Sequence, residues 1–341
     1  MPCYTPLTAY QILDSREQKP NGKANIVFKR PQHTAHYKEV QLPCGQCIGC
    51  RLLRSVTWAS RIMHEIQEPP FDKETGAYVT EPNVACFITL TYDQENLPDD
   101  HSLRKDHFQK FLKRFRKAIS PIKIRYFMCG EYGDDSWRPH YHAIIFGYNF
   151  TSGIEYKSEW CEARKQIQVS EVGNPYYISP LLSLLWPFGY HVIANCTWES
   201  AAYVARYCTK KVTGDKAEAH YNRLIIDWDE DSGELREFQE VDLEPEYATM
   251  SRRPGIGKGW YDKFKSDCYP SNYLIHDGHK TPIPKYYDKL LELEDEIQFK
   301  AVKMQRELAI LHCKDELTPT RLRQRHKTKL SQYNTLKRTK I

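Results

Sequence analysis

The stretch between Lys123 and Gly147 constrains the fold more than any other part of the chain. Two apolar runs, 123–130 and 140–147, flank Gly133-Asp134-Asp135-Ser136, a strong turn signal. The pattern predicts an antiparallel hairpin. A hairpin centred near Asp135 and Ser136 pairs residues whose numbers sum to about 271–273, so Glu131 faces His140 or His142. Alternate strand residues share a face, which points His140 and His142 one way and Tyr141 the other.

Other segments extend this frame. Asn83 to Asp93 is β-branched and apolar and reads as a buried strand, and Gly189 to Asn195 reads as another. The segment from His107 to Ser120 sets Phe108, Phe111, Leu112, Phe115 and Ile119 at helical spacing, with Lys110, Lys113, Arg114, Arg116 and Lys117 opposite. Cys50 to Ile66 reads as a helix, 214–247 as an acidic irregular excursion, and Tyr286 to Cys313 as one charged helix. The expected class is α+β, a central and mostly antiparallel sheet flanked by helices, with a Cys-rich N-terminal element. The expected organisation is a Cys-rich element over 1–80, a core over 81–213, an excursion with loops over 214–280, and a C-terminal helix with a basic tail over 281–341.

Two imidazoles side by side on a buried strand repel if both are protonated and favour a metal or a carboxylate. Glu131, His140 and His142 leave coordination positions open for water and phosphate oxygens, which suits Mg2+ or Mn2+ acting as a Lewis acid. The plainer reading is a polar corner of a sheet.

A second pattern lies about sixty residues on. Tyr203 and Tyr207 are one turn apart in a run free of Gly and Pro, with Thr197 or Ser200 available as a cap and Lys210 and Lys211 one turn further. Val204, Ala205 and Cys208 make the packing face. Tyr269 and Tyr273 share the spacing, but Pro270 between them opposes a helix. A tyrosine that attacks a phosphate forms a phosphotyrosine and keeps the bond energy for rejoining. Lys210 would stabilise the developing charge. The plainer reading is an aromatic stripe in a core.

Of eleven cysteines, three form Cys44-x-x-Cys47-x-x-Cys50, the spacing of a zinc knuckle. A fourth ligand is missing locally. Cys3 is the first choice, with His64, His33 and His36 in reserve. Free thiols are the alternative. The cysteine usage, the absence of a signal-like N-terminus and the absence of a bilayer-length apolar run point to a reducing cytoplasm and no membrane. Net charge is only +5, yet 318–341 holds eight Lys or Arg and no acid, which suits a polyanion. Gly255-x-Gly257-Lys258 lacks P-loop spacing and reads as a loop.

The order Phe87-Ile88-Thr89-Leu90-Thr91, Glu131, His140-Tyr141-His142, Tyr203-x-x-x-Tyr207-x-x-Lys210 resembles the HUH endonucleases in their replication-initiator arrangement. The paired tyrosines are similar to those of rolling-circle initiators of small single-stranded DNA phages. Leu42-Pro43-Cys44-Gly45-Gln46-Cys47-Ile48-Gly49-Cys50-Arg51, Cys3 beside Pro6, and Ser251-Arg252-Arg253-Pro254-Gly255-Ile256-Gly257 look like the initiation proteins of gokushovirus-type microviruses. The resemblance covers roughly 1–290. It implies a metal-dependent, origin-specific nickase and strand-transferase. One tyrosine would attack the origin strand, giving a 5′-phosphotyrosine and a free 3′-OH primer, and the other would act later in rejoining. The implied partners are single-stranded origin DNA and the host helicase and polymerase. Arg206, Lys211, Arg252, Arg253, Lys113 and Arg114 are candidate DNA contacts. Structural Zn2+ on Cys3, Cys44, Cys47 and Cys50 would accompany the catalytic Mg2+ or Mn2+. The competing readings are an HUH transposase or plasmid initiator, and a non-catalytic, zinc-stabilised DNA-binding protein.

Overall fold

The computed structural model describes residues 3–13, 25–32, 36–133, 136–170, 173–207, 211–212, 217–228 and 235–335. From the N-terminus, β1 (Leu7–Ile12), β2 (Ile26–Val27) and β3 (Tyr37–Leu42) precede α1 (Ile48–Gln67). The hairpin β4 (Phe71–Asp72) and β5 (Ala77–Tyr78) leads to β6 (Ala85–Tyr92), α2 (Lys105–Ala118), β7 (Arg125–Tyr132) and β8 (Pro139–Phe146). Next come β9 (Ile154–Tyr156), β10 (Glu159–Cys161), β11 (Lys165–Val169), β12 (Pro175–Ile178), α3 (Pro180–Leu185), β13 (Gly189–Asn195) and α4 (Trp198–Tyr207). The chain continues through α5 (Ala217–Tyr221), β14 (Asn222–Trp228), β15 (Leu235–Asp242), β16 (Tyr247–Met250) and α6 (Lys258–Cys268). It ends in β17 (Leu274–His276), β18 (His279–Thr281), α7 (Lys285–Glu294), α8 (Glu296–Leu311) and α9 (Pro319–Thr335).

These elements form two compact units, Met1–Arg54 with Ile297–Arg338, and Ser55–Glu296. The first holds the antiparallel sheet β2-β1-β3. The second is built on a seven-stranded sheet in the order β11-β12-β13-β6-β8-β7-β16, antiparallel at every pairing. The α+β expectation holds, with helices packed on the sheet. No described helix is long and apolar enough to cross a membrane.

Alternation along the strands divides the core of the second unit into two layers. Ile88, Leu90, Tyr92, Met128, Tyr141, Ala143 and Ile145 face α2 and α3, which contribute Phe108, Phe111, Leu112, Phe115, Leu181 and Leu185. The Phe, Leu and Ile side chains among these contribute about 1.5–3 kcal/mol each through burial. Phe87, Phe127, Cys129, Ile144 and Phe146 face the other way, against Ala59 and Ile62 of α1, Ala201 and Val204 of α4, and Ile256. Gly189 opens β13 with φ +139°, and a Cβ there would collide with the backbone nitrogen of Asp93. This close approach seats β13 against the end of β6.

Two segments differ from the sequence reading. The span 214–247 is not irregular, because β14 and β15 pair as an antiparallel hairpin within it. The surrounding acids mask the β-forming run Leu224-Ile225-Ile226-Asp227-Trp228. The charged C-terminal helix is two helices, since Asp295 between α7 and α8 takes φ −145° and ψ 87°, and no Gly or Pro announces the break.

A buried ion pair ties the second layer together. Arg125 Nε donates to Glu65 Oε1, and Arg125 Nη2 donates to the Pro254 carbonyl at 2.7 Å. The Gly257 amide donates to Glu65 Oε2 at 2.6 Å. The two side chains are 5% and 0% exposed, so removing one strands the other's charge away from water. Glu65→Ala is therefore expected to cost about 3–5 kcal/mol in denaturant unfolding. A loss below about 1 kcal/mol would show that the pair does not carry this packing.

Candidate active site and cysteine cluster

The β7–β8 register places Glu131 directly opposite His140 and Cys129 opposite His142. The observed sum, 271, lies within the range set by the turn. Glu131, His140 and His142 consequently share a sheet face. His142 Nε2 lies 2.8 Å from Glu131 Oε1, with both side chains 5% exposed. On the other side of the ring, His142 Nδ1 lies 2.9 Å from the Thr89 hydroxyl. A hydroxyl both donates and accepts, so Thr89 can serve either tautomer of His142. His140 Nδ1 is 2.6 Å from the Arg138 carbonyl, which only accepts. That nitrogen must carry the proton, which leaves the lone pair on Nε2. Burial, followed by the neighbouring His142, lowers the His140 pKa and keeps the imidazole neutral. The two imidazole rings lie parallel at 6.2 Å, and Phe87 stacks on His142 at 5.7 Å.

Helix α4 lies over this face. Its N-terminus is fixed by reciprocal bonds: the Ser200 amide donates to Thr197 Oγ1 at 3.3 Å, and the Thr197 amide donates to Ser200 Oγ at 2.8 Å. Ala201 and Val204 pack into the sheet. Cys129 Sγ reaches the Val204 carbonyl at 3.7 Å, and Ser55 Oγ donates to the Ala202 carbonyl at 2.9 Å. The Tyr203 ring consequently stands edge-on to His142 at 5.6 Å and to Phe87 at 6.2 Å. Arg206 lies over the Tyr203 ring at 5.1 Å. The backbone of Tyr207 closes α4, four residues after Tyr203. Lys210 falls outside the described residues, and Lys211 is exposed.

Not every candidate DNA contact gathers here. Lys113 and Arg114 belong to α2, which packs on the opposite face of the sheet, and Arg114 donates to the Leu185 carbonyl at 2.8 and 3.1 Å. Arg252 and Arg253 are exposed after β16, where they line a cavity of about 780 Å³ with Arg116 and Lys123. That cavity lies at the Arg125 end of β7, away from Glu131. The sequence reading assigned no role to Thr89, Phe87, Ser55 or Arg138. The signal for Thr89 was its position in an apolar strand, at the parity of a polar face.

The histidines and glutamate form a donor set of two imidazole nitrogens and a carboxylate oxygen. Each histidine is oriented through its second ring nitrogen, as ligating histidines usually are. The donor types suit a divalent ion such as Mn2+ or Mg2+, but their ligand atoms do not all lie within 4.8 Å of one another as those of the cysteine cluster do.

The cysteine cluster lies wholly in the first unit. Among the described residues, Cys3, Cys44, Cys47 and Cys50 are the group whose metal-ligating atoms all lie within 4.8 Å of one another. Cys3 Sγ lies 3.7 Å from Cys44 Sγ and 3.9 Å from Cys47 Sγ. A tetrahedral zinc with Zn–S of about 2.3 Å requires sulfur–sulfur edges of about 3.8 Å, whereas a disulfide requires about 2.0 Å. Gly45 has φ +77°, the left-handed conformation that folds the Cys44-x-x-Cys47 turn back on itself. Amides of Tyr4, Cys44 and Cys47 donate to the sulfurs of Cys47, Cys3 and Cys44, each at 3.3 Å. Burial raises the Cys44 pKa, but bonds from Thr5 and from the Cys47 and Gln46 amides outweigh it and bring the thiol to about 6. The cluster can hold a metal such as zinc, and Cys3 takes the fourth place expected from the sequence.

A family model described as replication-associated protein ORF2/G2P matches residues 85–212, the span that carries the histidines and tyrosines. The chain is 29% identical over 301 residues to replication-associated protein VP4 of Bdellovibrio phage phiMH2K, covering 83% of this chain and 81% of that one. It is 27% identical over 321 residues to replication-associated protein ORF2 of Spiroplasma virus 4, covering 90% and 86%. With replication-associated protein ORF4 of Chlamydia phage 1 it shares 26% over 258 residues, covering 73% and 53%. No solved structure matches the chain. The class these similarities define is that of phage replication-associated proteins. Within that class they support a microvirus-type rolling-circle initiator.

Zinc analysis of purified protein is expected to show metal lost in Cys44→Ser. Unchanged zinc in that variant would remove the cluster as its site.

Proposed function

We propose that the chain is an origin-specific nickase and strand-transferase that starts rolling-circle replication of a phage genome. The observation that carries this reading is the Tyr203 ring held edge-on to His142 at 5.6 Å, on the face that also bears His140 and Glu131. Bound at His140, His142 and Glu131, Mg2+ or Mn2+ would polarise the scissile phosphate and offset its charge.

The remaining chemistry belongs to the chain's own residues. The Tyr203 hydroxyl gives up its proton to water as its oxygen bonds to phosphorus, and the P–O3′ bond breaks. The departing 3′ oxygen takes a proton from water, balancing the one the phenol lost, to become the 3′-OH primer, and the 5′-phosphate remains on the tyrosine as a phosphodiester. No phosphodiester energy is lost, so a free 3′-OH can later reverse the step and close a circle. Arg206, over the Tyr203 ring, favours the phenolate and the phosphate together. Tyr207, one turn on, is the second nucleophile, and Lys210 assists by its charge. Lys211 and the basic 318–341 segment hold the strand backbone. The site would act in the host cytoplasm, handing the primer to host polymerase and helicase.

An oligonucleotide carrying the origin, mixed with Mn2+ and protein, is expected to give a covalent adduct that Tyr203→Phe combined with Tyr207→Phe abolishes. An adduct in the double variant would sink the assignment. Nicking is expected to stop when Mg2+ and Mn2+ are omitted with zinc retained, and to return with Mn2+. Nicking that persists without them would argue against the role of Glu131, His140 and His142.

A further inference from the structure

The face that bears the histidines does not end at β8. His140 pairs with Thr91 of β6, and Thr91 pairs with Tyr190 of β13. Directly opposed residues of an antiparallel sheet point to the same face, so Glu131, His140, Thr91 and Tyr190 form one row. Two strand spacings, about 10 Å, separate His140 from Tyr190. Although it lies on a central strand, Tyr190 is 70% exposed. The same face stays open further out. Tyr176 of β12 pairs with Ala194, so Ile178, two residues on, faces the same way and is 39% exposed. Lys165 on the edge strand β11 is paired with Ile178 and is exposed. Helices α1 and α4 cover Phe87, Phe127 and Ile144, while this outer half carries an aromatic ring, an apolar side chain and a cation on open sheet.

Burial cannot account for a tyrosine that keeps most of its surface in water. Its position beside a phosphate-handling row can. We propose that Tyr190 is a stacking platform for an unpaired base close to the scissile phosphate, and that the strand runs from Tyr203 across His140 and Tyr190 towards Lys165. This rests on the active-site reading above for the position of the phosphate. The ring takes any base, because every base offers a π-face, and the site accordingly contributes affinity for single strands rather than sequence choice. Gly189, fixed against the end of β6, sets the register that brings Tyr190 opposite Thr91.

The test uses the full chain, with no added Mg2+ or Mn2+, and fluorescence anisotropy on two probes of equal length. One is a labelled oligothymidylate and the other is the same strand made abasic. Tyr190→Ala is expected to weaken oligothymidylate binding roughly five- to 150-fold and leave abasic binding nearly unchanged, with Tyr190→Phe close to wild type. An equal loss on both probes, or no loss on oligothymidylate, overturns the proposal. Adduct formation by wild-type protein on origin DNA, measured in parallel, tests the active-site reading separately. A Tyr190→Ala protein that still forms the adduct while binding oligothymidylate like wild type would remove the platform and leave the nuclease.

Discussion

The antiparallel register between β7 and β8 is the constraint on which the rest of the site depends. Opposing Glu131 to His140 puts a carboxylate and two imidazoles on one face of a sheet whose other positions there are Cys129, Phe127, Ile144 and Phe146. Side-chain period two leaves no tolerance. A slip of one residue in β8 would turn His140 and His142 towards α2 and bring Tyr141 to the face under α4. The register is held from both sides. Tyr141 is fully buried opposite the histidines, its hydroxyl 2.8 Å from that of Tyr92 and bonded to the Arg104 backbone. The hydrophobic alternation that fixes Tyr141 therefore fixes the histidines as well.

Burying polar groups in such a layer is costly unless each finds a partner. His142 has Thr89 and Glu131, and His140 has the Arg138 carbonyl. These bonds also fix the orientation of the two imidazoles. Helix α4 is fixed by equally local means. Its Thr197–Ser200 cap sets where it begins, and contacts from Ser55 and Cys129 to its carbonyls set how it lies. In the other unit the four cysteines gather at sulfur–sulfur distances that match the edge of a zinc tetrahedron, an arrangement that could hold a metal such as zinc.

The parts of this structure legible in the sequence are those governed by local periodicity. The turn at 133–136 fixed the hairpin and hence the partner of His140. The 3.6-residue spacing from Phe108 to Phe115 gave α2, and the proline between Tyr269 and Tyr273 separated a chance pair from the tyrosines on α4. What escaped was set by contacts distant in sequence. Thr89 is fifty-three residues from His142, and Ser55 is 147 from Ala202. Tyr190 joins the histidine row only through two successive strand pairings. The basic face of α2 was visible as a pattern, but nothing local revealed that it lies on the far side of the sheet. Acidic composition hid the β14–β15 hairpin, and the break at Asp295 has no Gly or Pro to mark it.

The proposed metal-dependent tyrosine nuclease is one sheet face with the helix above it. The most direct measurement is an anomalous difference map from crystals grown with Mn2+. A manganese peak bonded to His140, His142 and Glu131 beside the Tyr203 hydroxyl is the expected result. Manganese absent from those three side chains in well-ordered crystals would contradict it.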